Sequence, residues 1–120
     1  MSEMETENTV ALTANVFARA CRSRAAFEDV TAKWSSLVLI ALAEEPHRFG
    51  ELRRHVDGVS EKMLSQTLRA LEADGMVTRT VHAVAPPRVD YELTDLGADV
   101  ARHLRDLADL LESAVDDGSL

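Results

Sequence analysis

Lys62, Ser65, Gln66 and Arg69 recur at the i, i+3, i+4, i+7 spacing that aligns side chains along one face of a helix. Leu64, Leu68 and Leu71 fall on the opposite face, so the four polar groups point to solvent or to a partner. A glutamine amide can bond an adenine edge bidentately and an arginine fork can bond guanine, while a lysine or a serine reaches phosphate oxygens. The same face would serve equally well as an ordinary solvated surface. Arg53, Arg79 and Arg88 are further cations that could grip a phosphate backbone or enter a minor groove, although each taken singly reads as a surface residue.

Cys21 is the one cysteine, and Arg19, Arg22 and Arg24 surround it. Two readings stand side by side: a partly exposed thiolate activated by basic neighbours, or an inert thiol buried between helices. A single cysteine excludes an intramolecular disulfide and a multi-cysteine zinc site, and is expected of a chain in a reducing compartment, the cytoplasm. His47, His55, His82 and His103 are spread along the chain with no metal-ligand spacing. No carboxylate pair accompanies a nucleophile, a phosphate loop or a metal motif. The expectation is therefore a non-enzyme with no metal, no cofactor and no catalytic residues.

These residues need elements to position them. Positions 1–9 lack apolar periodicity and are expected to form a flexible arm. Val10, Ala14, Phe17 and Ala18 predict a short first helix, and the stripe Phe27, Val30, Trp34, Leu37, Val38 and Ala41 predicts one long helix over 26–43, closed by Pro46. Phe49, Leu52 and Val56 predict a short helix, Asp57-Gly58 a turn, and Ser60 the cap of a second helix over 61–73 that stops at Asp74-Gly75. The period then changes to two. Val77, Arg79, Val81 and Val89, Tyr91, Leu93 alternate with polar residues, predicting two strands joined by an exposed loop that carries Pro86-Pro87. Thr94 can cap a last helix over 95–115, where Val100, Leu104, Leu107 and Leu111 form a short heptad seam that needs an apolar partner. Residues 116–120 are expected to fray. The sum is a mainly α fold with a small β-hairpin: a helix-turn-helix over 49–73, a wing over 76–93 and a terminal helix, in a single domain over 10–115.

The stretches Lys33-Trp34, Arg48 to Arg54, Ser60 to Arg69, Leu71 to Val77 and Pro86 to Thr94 carry this order in residue detail. They resemble, collinearly from about Cys21 to the last helix, the HxlR-type family of bacterial winged helix-turn-helix transcription regulators. The resemblance implies a homodimer held by its N- and C-terminal helices, a double-stranded DNA operator of roughly palindromic sequence, and Lys62, Ser65, Gln66, Arg69, Arg79, Arg88 and Arg53 as DNA-contacting residues. It also implies a role for Cys21, which occupies the place of a family cysteine usually followed by proline; here Arg22 follows it. A small-molecule effector or an oxidant acting through Cys21 would fit that pattern.

Length and charge bound this reading. The 120 residues suit one domain, and 46% hydrophobic with 28% charged residues is ordinary globular composition. The acidic start and the absence of any apolar run near the ~20 residues of a membrane span argue against export or membrane insertion. A formal charge of −8 weighs at first against nucleic acid. Between His47 and Tyr91, however, seven basic residues outnumber six acids, so the negative excess lies in the two ends of the chain. The acidic total also suits an alternative, a winged-helix module that binds protein without specific DNA recognition.

Overall fold

The computed structural model describes residues 13–120, so the expected arm and Val10 lie outside the described residues. The described elements run α1 Arg22–Val30, α2 Ser35–Glu44, β1 His47–Arg48, α3 Phe49–His55, α4 Glu61–Ala73, β2 Val77–His82, β3 Arg88–Leu93 and α5 Asp95–Asp116. The three strands make one antiparallel sheet in the order β1-β3-β2. This is a winged helix-turn-helix: α3 and α4 flank the turn, and β2 and β3 form the wing.

Two helix expectations are corrected. Residues 13–20 form turns instead of the first helix. There the Asn15 side chain accepts the Phe17 N–H at 3.0 Å, and the Asn15 N–H goes to the Cys21 sulfur at 3.4 Å. Such local side-chain bonds compete with the helical ladder, and Phe17, 88% exposed, finds no core to reward helix formation. The long helix over 26–43 is in fact two, α1 and α2. At the break Thr31 donates its hydroxyl to the Phe27 carbonyl and Ser36 donates to the Val30 carbonyl, both at 2.7 Å. These hydroxyls satisfy carbonyls at the end of α1, so the chain turns there while its apolar stripe continues into α2.

Capping chemistry sets the other boundaries. Ser60 accepts the Met63 N–H at 3.1 Å to start α4, and Gly75, at φ +73°, ends the region in the left-handed conformation. Thr94 accepts the Gly97 N–H at 3.0 Å and donates to the Gly75 carbonyl at 2.6 Å, so one side chain ties the start of α5 to the end of the recognition unit. Gly97 is required by contact: a Cβ there would lie 1.9 Å from the Met76 carbonyl oxygen.

The core gathers Val38, Leu39 and Leu42 from α2, Leu52 from α3, Leu64, Leu68 and Leu71 from α4, Val77 from β2 and Ala101 from α5. Each fully buried leucine contributes about 1.5–3 kcal/mol relative to exposure. The leucine face of α4 is thus fixed against the core, which orients its other face outward.

Candidate nucleic-acid interface

Helix α4 buries Leu64, Thr67, Leu68 and Leu71. Lys62, Gln66 and Arg69 are exposed, and Ser65 is half-buried beside them. None of these four is held by a carboxylate, and the two cations make no ion pair, so the face is free to bond an outside partner.

The hairpin adds cations on two sides. In the β2–β3 register Arg79 stands opposite Tyr91, and Arg88 opposite His82. Strand side chains alternate, so Arg79 and Arg88 project from opposite faces of the wing. Arg79 shares a groove with Ser65, Arg69, Glu72 and Tyr91, which joins the wing root to the exposed face of α4. Arg88 lies in a second groove with Arg48, Arg54, Asp90, Glu45 and Glu51. Its guanidinium makes an ion pair with the Asp90 carboxylate at 3.3 Å, and the same oxygen is hydrogen-bonded to His82 Nε2 at 2.8 Å.

Arg53 is engaged rather than free. It pairs with Glu61 in the first turn of α4 at 3.2 Å and braces α3 against α4. The expected DNA residues therefore divide: Ser65, Arg69 and Arg79 share one groove, Lys62 and Gln66 stand on the same helix face, and Arg53 and Arg88 each hold an internal partner. Sequence reasoning missed Asp90, His82 and Arg48. The period-two pattern does place Asp90 beside Arg88 on one face, but the pairing of Arg48 with Asp90 depends on β1, which two residues could not announce.

Cys21 sits half-buried at the N-cap of α1. Its thiol is held down to about pKa 7, first by the Ser23 hydroxyl at 3.2 Å and then by the N–H groups of Asn15, Ser23 and Arg24. Hydrogen bonds, not the charges of Arg19, Arg22 and Arg24, do this, and Arg24 is itself paired with Glu28 at 2.5 Å. Elsewhere on the described residues, no group of three His, Cys, Asp or Glu side chains could hold a metal ion. No described helix is long and apolar enough to cross a membrane.

The seam of the last helix is split by the fold. Val100 and Leu104 are half-buried against this chain's own core. Leu107 at 52% and Leu111 at 47% are exposed, together with Leu110 at 66% and Val115 at 58%.

The family model for the HxlR-like helix-turn-helix matches residues 29–119. The chain belongs to that family. It is 50% identical over 98 residues to YtfH of Escherichia coli, described as an uncharacterised HTH-type transcriptional regulator, with 82% of this chain and 78% of the relative aligned. The family fold is equally plain in solved structures. A YtfH transcriptional regulator from Salmonella typhimurium superposes with a TM-score of 0.79 at 46% identity, covering 88% of this chain and 94% of that one. The redox regulator HypR in its oxidised form superposes with a TM-score of 0.71 at 31% identity, covering 78% and 96%.

Proposed function

We propose that the protein regulates transcription as a DNA-binding homodimer, with α4 of each subunit in the major groove, and that Cys21 couples DNA affinity to oxidants or electrophiles. The observation that carries the reading is the unpaired outward face Lys62-Ser65-Gln66-Arg69, fixed by a buried leucine face and continued by Arg79. Gln66 and Arg69 read base edges, whereas Lys62, Arg79 and Arg88 contact the backbone. The exposed leucines of α5 meet their counterparts across a two-fold axis, which sets the two α4 helices about one DNA turn, ~34 Å, apart.

A thiol near pKa 7 is about half thiolate at neutral pH and so attacks peroxides readily. Attack transfers oxygen to sulfur, giving a sulfenic acid and releasing the reduced alcohol or water. A small thiol then displaces water to leave a mixed disulfide. HypR, described as a redox regulator, supports this part of the reading.

Selection of genomic fragments on the full-length protein tests the function. The expected result is a roughly palindromic sequence bound with a steep dependence on salt. Failure to enrich any sequence, with binding to duplexes weak and indifferent to salt, would overturn it.

A further inference from the structure

Resting on that reading, we propose that Asp90 is an internal stand-in for a DNA phosphate: it holds Arg88 in the free protein and yields it to the duplex backbone on binding. The geometry is specific. Arg88 and Asp90 lie two residues apart on one strand face, and His82, the register partner of Arg88, reaches the same carboxylate oxygen. Arg48, the register partner of Asp90, and Arg54 of α3 line the same open groove. The groove brings three guanidinium groups together with the carboxylates of Glu45, Glu51 and Asp90. Glu51 already accepts the Arg48 backbone N–H at 2.8 Å, and Asp90 is the acid paired with Arg88.

A carboxylate and a phosphate make the same demand on arginine, two oxygens that accept charge-assisted N–H bonds. Exchange of one for the other is easy only if the displaced carboxylate keeps a partner. Here it does, because His82 bonds Asp90 independently of Arg88. Arg88 is 43% exposed at its side chain while Asp90 is 23% exposed, so the cation can swing outward as the acid stays in place. The Arg88–Asp90 pair carries no net charge. Arg88 therefore adds little to long-range attraction of random DNA until a phosphate is close enough to compete.

The test is a double-mutant cycle on the full chain, using a mixed-sequence duplex several turns long across a salt series. Asp90→Asn is expected to raise affinity about three- to tenfold in the wild-type background and to leave it nearly unchanged beside Arg88→Ala. Glu92→Gln removes a charge from the same strand face, but from a residue with no ion pair to Arg88, and is expected to change affinity less than twofold. Asp90→Thr, which suits a strand, gives the same comparison should the asparagine unsettle the hairpin. Equal gains with and without Arg88, or equal gains from Asp90→Asn and Glu92→Gln, would mean diffuse repulsion and overturn the stand-in alone. A wild-type chain that binds no duplex would overturn the functional reading beneath it.

Discussion

Single side chains divide into those whose chemistry can be read from their type and those whose chemistry depends on neighbours. Gln66 and Arg69 belong to the first kind, since helical spacing alone puts them opposite the buried leucines. Cys21 belongs to the second: its basic flanks suggested activation, but the activating groups are the Ser23 hydroxyl and three backbone N–H groups at the start of α1. The rate of Cys21 alkylation should therefore rise with pH around a midpoint of about 7, and Ser23→Ala should move that midpoint upward. A wild-type midpoint near the ordinary thiol value of 9.0, or one unmoved by Ser23→Ala, would contradict the hydrogen-bonded thiolate. Arg88 illustrates the same limit, because its partner Asp90 is visible in sequence only as a neighbour with the right parity.

Elements whose boundaries rest on local chemistry were legible. Ser60 and Gly75 bracket α4, and Thr94 opens α5, because caps and left-handed glycines act over three or four residues. Elements that depend on distant partners were not. β1 is two residues long and exists through its pairing with β3, while the break between α1 and α2 is made by Thr31 and Ser36 hydroxyls inside an uninterrupted apolar stripe. A further consequence lies where α1 meets the end of α4. Asp74, the C-cap of α4, has a buried oxygen without a partner, and burial followed by hydrogen bonding and charge from Asp29 pushes its carboxyl up to about 6, against a lowering influence of Arg22. A raised carboxyl pKa means the folded state binds the proton more tightly than the unfolded chain. This stabilisation is complete below the ordinary value of 3.8 and is lost as pH rises through about 6. Asp74→Asn should consequently raise the melting temperature at pH 7 and not at pH 3.5, as followed by thermal unfolding. The same pH response in both proteins would rule out Asp74 as the titrating group. Gly97→Ala should be severely destabilising by the same measurement, since its methyl would meet the Met76 backbone; a loss below about 1 kcal/mol would mean that the α5–β2 junction yields easily.

At the scale of the molecule, the fold class was legible from the order of periodicities, from helical to alternating and back, and from motifs that match the HxlR-like family. What the seam of α5 would meet was only half legible. Val100 and Leu104 turn to this chain's own core, whereas Leu107, Leu110, Leu111 and Val115 remain on the surface. An apolar row of that kind predicts a dimer that Leu107→Asp dissociates, observable by light scattering with the helical signal retained. A wild-type chain that is monomeric yet binds DNA tightly would refute the dimer. The central claim, that paired α4 helices read the operator, is tested most directly by one profile. It is the affinity of wild type and Gln66→Ala for the selected operator and for every single base-pair change within it. Wild type is expected to discriminate at symmetric positions in both half-sites, and Gln66→Ala to lose ~1–3 kcal/mol of discrimination at one symmetric pair. An unchanged profile from a folded Gln66→Ala protein, or discrimination confined to one half-site, would contradict it.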